Sequence, residues 1–160
     1  MKTMEMTTQA EELRAGRTII VNTVGTSMQP LLYENDTQVV VTPLQQPLKK
    51  GDMVLYETKT GNPVIHRIIM VSEESVMIRG DNEFQSETVP YERIVGLATE
   101  VFRHRRHYTT DGWELQFYAM LVTGLFPFRY GIWALMHKCA AVLPQPVVRA
   151  ARAIVKQLRN

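Results

Sequence analysis

Cysteine is nearly absent from this 160-residue chain: Cys139 stands alone, which excludes an intramolecular disulfide. No Cys/His group has the spacing of a structural zinc site, so no metal is expected, and no other cofactor either. Long apolar runs are also missing. The longest uncharged stretch in the C-terminal third, Leu115 to Phe128, is 14 residues, short of the ~20 that cross a bilayer. Met1 to Gly16 contains Glu5, Glu11 and Glu12 and no apolar core, and reads as neither a secretory signal nor a membrane anchor. The 45% apolar and 21% charged contents exclude global disorder.

Acidic residues become scarce past residue 102. Residues 1–102 hold nine Lys and Arg against fourteen Asp and Glu, a net −5. Residues 103–160 hold nine against two, Asp111 and Glu114, a net +7. Such a split predicts a basic tail with its own partner. The tail lacks a nucleic-acid module with interleaved stacking aromatics, so an anionic lipid surface is the expected partner and nucleic acid is not.

Thr8 to Arg14 reads as a short helix ended by Gly16. β-branched runs then predict six strands, at 18–21, 37–42, 53–58, 64–71, 75–79 and 94–102, parted by turns at Gly25–Pro30, Gly51-Asp52, Gly61-Asn62-Pro63 and Gly80-Asp81-Asn82. Short strands at this spacing imply a mostly β domain, a barrel or folded sheet. The basic run Arg103–His107 reads as a boundary. Beyond it, Trp113 to Leu143 reads as helices broken by Gly124, Pro127 and Gly131, suited to an interfacial segment. Val147 to Leu158 puts Arg149, Arg152 and Lys156 on one helical face. The expected division is a lead at 1–17, a β domain at 18–102 and a helical extension at 103–160.

Two positions carry the chemistry. Ser27 lies in the Gly- and Pro-bounded turn Gly25-Thr26-Ser27-Met28-Gln29-Pro30, and a serine hydroxyl needs a base to act as a nucleophile. His66, in the apolar strand Val64-Ile65-His66-Arg67-Ile68, is the one histidine of the first hundred residues. A pKa near 6.5 suits it to proton transfer at neutral pH. Taken singly, a turn serine, a core histidine and a hairpin turn at Gly80-Asp81-Asn82 are ordinary structural features; their order and spacing are not.

GTSMQP resembles the SMxP box of type I signal peptidases and their LexA-type self-cleaving relatives. The resemblance runs on through Lys50-Gly51-Asp52-Met53-Val54, Val64–Ile68, Gly80-Asp81-Asn82 and Ile94-Val95-Gly96, in the family's order, over residues 18–102. It implies a coiled β-sheet domain and a serine endopeptidase that cleaves precursor or exported peptides after small residues. Most bacterial members have a lysine base where this chain has His66. The histidine matches the subgroup of the endoplasmic-reticulum and sporulation-type enzymes, and no lysine lies between Lys59 and Lys138 to replace it. For the acid behind the histidine, the resemblance points to Asp81, with Glu87 as the competitor. Arg67 is expected to brace the acid turn. The Ser27 N–H would be the first oxyanion donor. Gly25 stands where some members add a serine hydroxyl, and Met28 and Pro30 would shape the substrate wall.

The chain departs from typical signal peptidases in carrying no apolar anchor ahead of the first strand and a hydrophobic, basic segment after the last. Peripheral membrane association through 113–158 is therefore expected, with a cytoplasmic location as the alternative. The rival to this segment's membrane role is packing on the sheet or a dimer contact. Two rival functions remain: a LexA-like protein that cuts its own chain, for which Ala15-Gly16 is the right dipeptide type, and a non-catalytic membrane-surface module on a peptidase fold.

Overall fold

A computed structural model describes residues 8–142. They fall into two compact units that divide between Thr123 and Gly124. The expected helix at Val147–Leu158, like residues 1–7, lies outside the described residues.

The first unit opens with helix α1, Gln9–Arg14, which is fixed by a reciprocal cap: Thr8 accepts from the Glu11 N–H, and Glu11 reaches back to the Thr8 N–H at 2.6 Å. Gly16, in the left-handed region at φ 82°, turns the chain out of the helix. Eight strands follow: β1 Ile19–Asn22, β2 Thr37–Thr42, β3 Met53–Glu57, β4 Pro63–Val71, β5 Ser75–Arg79, β6 Glu87–Pro90, β7 Ile94–Arg103 and β8 Arg106–Thr109. A single 3-10 turn, Tyr91–Arg93, links β6 to β7. Helix α2, Trp113–Gly124, ends the unit, and α3, Phe126–Val142, belongs to the second.

All strand pairs are antiparallel, in the open order β1-β2-β7-β3-β4-β5-β6, with β8 hairpinned onto β7. The protein is thus mostly β with a helical C-terminal part, and the sheet is folded rather than closed. β3 explains the folding: its neighbours β4 and β7 flank it, and its side chains are buried on both faces. Met53 and Leu55 join one apolar cluster with Leu13, Val39, Val41, Met28 and Leu115. Val54 and Tyr56 join a second, with Ile68, Ile78 and Val89. Each cluster buries what the other face leaves exposed.

Two strands go beyond the sequence reading. β6 is four residues long, ends at Pro90 and buries only Val89 fully, so its signal is weak. β8 exists because His104 and Arg105 both take positive φ, 47° and 65°, and turn the basic run into a hairpin tip. Neither residue is a glycine, so nothing local announces that turn. In α3, Pro127 falls in the first turn, where its missing N–H costs nothing, and Gly131 does not break the helix.

Candidate active site

The Ser27 turn begins at Gly25, whose φ of 84° is left-handed and favours glycine. Gln29 N–H bonds back to Thr26 O at 3.2 Å, and Leu31 and Leu32 N–H both bond to Met28 O, at 3.1 and 3.0 Å. Met28 is buried in the first cluster and holds the turn to the sheet. The far side is fastened by the loop after β5. Asn82 N–H donates to Ser27 O at 2.7 Å, and Asn82 Nδ2 donates to Thr26 O at 3.2 Å. Gly80 is glycine because of this approach: a β-carbon there would stand 2.7 Å from Ser27 O and 3.0 Å from Glu83 Oε2. The serine turn and the Glu83 carboxylate therefore meet over Gly80.

His66 lies in β4 opposite Val54, so its ring is on the face that carries Tyr56, and it is 9% exposed. Glu83 Oε2 stands 3.7 Å from Nε2. The Tyr56 hydroxyl lies 3.4 Å from Nδ1 and donates to Glu87 Oε2 at 3.1 Å. Burial lowers the His66 pKa below its usual 6.5; the charges of Glu83, Glu87 and Asp81 pull it back up. Burial dominates, so the ring is neutral at pH 7. Tyr56 is pushed well above the ordinary phenol range by burial and by Glu87, so it stays protonated.

Asp81 has a different principal partner from the one expected. Both its oxygens accept from Arg67, Oδ1 from Nε and Oδ2 from Nη2, each at 2.7 Å. Arg67 also donates to Gly51 O at 2.8 Å, and its guanidinium faces the Tyr118 ring of α2 at 5.5 Å. Neighbouring residues on a strand point to opposite faces. Arg67 therefore leaves β4 on the face opposite His66 while it holds both Asp81 oxygens, and the Asp81 charge still acts on the imidazole. Arg67 does brace the acid turn, joining the loop that holds Ser27 to the Lys50–Asp52 turn. Glu83 and Tyr56 were absent from the sequence reading. Glu83 follows the Gly80-Asp81-Asn82 turn directly, which is the one signal that pointed to it; Tyr56 carries no signal before the β3–β4 register is known.

A cavity of about 220 Å³ opens beside Ser27, lined by Val21, Thr23, Gly25, Met28, Leu55 and Ile65 among others. It has room for a side chain or two, not for a folded segment. β1 is an end strand, paired only with β2, and the stretch of β4 before Arg67 pairs only with β3. Both leave main-chain groups beside the cavity for an extended peptide. Pro30 sits at the turn's outer end, where its carbonyl accepts from Arg103 Nη1 at 2.9 Å. The serine turn and the imidazole thus reach the same loop after β5, through Asn82 and Glu83 respectively, beside a cleft with room for an extended peptide.

A family model described as Peptidase S24-like matches residues 3–99, a span that contains every residue of this site and stops short of α2. A search of curated proteins returned no match.

Proposed function

The chain belongs to the Peptidase S24-like family of serine peptidases, and from that premise we propose that it is an endopeptidase of signal-peptidase type that acts on other chains. Ser27 is the nucleophile and His66 the general base. The Ser27 O–H proton moves to His66 Nε2 as Oγ attacks the scissile carbonyl, the Ser27 N–H receives the developing oxyanion, and the imidazolium then protonates the leaving amine. Water releases the acyl group by the same route reversed. The observation that carries this reading is the meeting over Gly80: the serine turn and the Glu83 carboxylate that stands at His66 Nε2 flank the same point. The small cavity favours small side chains before the cleaved bond.

Self-cleavage at Ala15-Gly16 is the runner-up. Ala15 caps α1: its N–H bonds to Glu11 O at 2.9 Å, Gly16 N–H bonds to Leu13 O at 3.0 Å and Arg17 N–H to Glu12 O at 3.0 Å. A bond held in a helix cap is not the extended strand that a cleft edge accepts, which favours substrates in trans.

Peripheral membrane contact through 113–158 is part of the same reading. Leu115 and Ala119 turn α2's inner side to the protein. Trp113, Phe117, Met120 and Leu121, at i, i+4, i+7 and i+8, share the opposite side and are exposed, Trp113 by 76%. In the second unit, α3 likewise exposes Phe128, Ile132 and Leu135. The +7 charge of residues 103–160 complements anionic headgroups. Among the described residues no helix is long and apolar enough to cross a membrane.

The test uses the purified full chain, Ser27→Ala and His66→Ala with a peptide bearing an Ala-x-Ala segment, with and without anionic vesicles. Cleavage by the wild type alone is expected. Equal cleavage by all three proteins, or by none under any condition, would overturn the reading; shortening of the chain itself with the peptide intact would support self-cleavage.

A further inference from the structure

Tyr56 sits two residues from Val54 on β3, and Val54 faces His66 across the strand pair, so the phenol is the diagonal neighbour of the imidazole on one face. The two rings are 5.8 Å apart and tilted by 46°. Tyr56 is 2% exposed, and a hydroxyl so buried needs partners. It has two: Glu87 Oε2 at 3.1 Å and His66 Nδ1 at 3.4 Å.

A phenol has one proton to give. The charged carboxylate is the stronger acceptor and also the nearer one. With that proton committed to Glu87, the phenol oxygen can only accept, and the imidazole can satisfy it only with a proton on Nδ1. The neutral ring has one proton, so Nε2 is left with its lone pair. Nε2 is the nitrogen on the Glu83 side, towards the loop that holds Ser27. Glu83, 43% exposed and 3.7 Å away, is beyond hydrogen-bond reach and does not compete for that proton.

We propose that Tyr56 is the positioning residue for His66: its hydroxyl, oriented by Glu87, holds the proton on Nδ1 and so presents Nε2 as the base. The inference rests on the peptidase reading for its consequence, though not for its geometry. No proton passes through Tyr56. When Nε2 takes the serine proton, the imidazolium keeps its Nδ1–H directed at the phenol oxygen, and that contact tightens as charge develops. Three carboxylates influence the ring: Glu87 on β6 through Tyr56, Glu83 and Asp81 from the loop between β5 and β6. Arg93, 3.6 Å from Glu87 Oε1, offsets part of the Glu87 charge.

Nitrogen-15 chemical shifts of histidine in the labelled full chain read the tautomer directly, with His66→Gln identifying the signal among the four histidines. The wild type is expected to show the Nδ1–H form near pH 7. Tyr56→Phe, which keeps the ring, should mix the tautomers and lower kcat about 10-fold, the equivalent of one hydrogen bond to a charged group, with KM little changed. The acid limb of its pH profile should move to lower pH, because the imidazolium loses an acceptor. Glu87→Gln, at a side chain 41% exposed, should give a smaller change of the same sign and covers the case of a misfolded Tyr56→Phe. An Nε2–H ring in the wild type, or a tautomer and kcat indifferent to both substitutions, overturns the proposal. Cleavage that survives Ser27→Ala would instead overturn the peptidase reading and leave the tautomer result standing.

Discussion

Replacing Gly80 by alanine tests the site at its tightest point. Gly80 is buried, and the new β-carbon would meet Ser27 O at 2.7 Å and the Glu83 carboxyl carbon at 3.0 Å. Glu83 can swing aside, since it is a half-exposed side chain. Ser27 O cannot, because it is main chain and already accepts from Asn82 N–H at 2.7 Å. The turn must therefore retreat from the loop and lose that bond. A lost hydrogen bond and a modest overpacking together cost about 2 kcal/mol, read as a lower urea midpoint at unchanged slope. Misplacing a reacting group by a fraction of an ångström to 1 Å costs on the order of 10²-fold in kcat/KM, so activity should fall far more than folding requires. Gly61→Ala is the control: its φ of 80° makes alanine strained, but nothing lies within 4 Å of the new carbon. It should lose about 1 kcal/mol of stability and no activity. Gly80→Ala with wild-type kcat/KM in the folded protein would refute the claim that this loop positions Ser27.

Asp81→Asn leaves Arg67, 3% exposed, without its carboxylate, and should cost about 3–5 kcal/mol in urea unfolding; intact stability with a selective loss of kcat would instead make Asp81 the acid that serves His66. The His66 pKa is depressed in the fold, so kcat/KM should hold through pH 6.5 and fall only below it, and a profile still rising steeply towards pH 10 would contradict a histidine base. The same depression means that the unfolded chain binds this proton first on acidification. The stability it contributes is complete above pH 6.5 and is lost as pH falls through the folded value; His66→Gln should remove that component from a pH series of urea midpoints. Trp113→Ser with Phe117→Ser should weaken sedimentation with phosphatidylserine vesicles without altering cleavage of a soluble peptide. Unchanged sedimentation, with loss of a dimer in its place, would assign that face of α2 to a second copy.

Six of the eight strands, helix α1 and the break after α2 were legible because their signals are local: β-branched runs, glycine stops and Gly-Asp turns act within a few residues. The order of motifs also brought Ser27, His66 and the loop after β5 into one frame. What surrounds the histidine was not legible. Alternation along β4 puts Arg67 on the face opposite His66, and the Arg67–Asp81 pair follows from that. The β3–β4 register sets Tyr56 against Nδ1, and the pairing of β6 with β5 brings Glu87 within reach of Tyr56. The sequence by itself determined six of the strands, the glycine-marked turns between them and which residue types are available for chemistry. Only the tertiary structure decided which carboxylate faces which nitrogen, because strand register and the close approach over Gly80 depend on residues tens of positions apart.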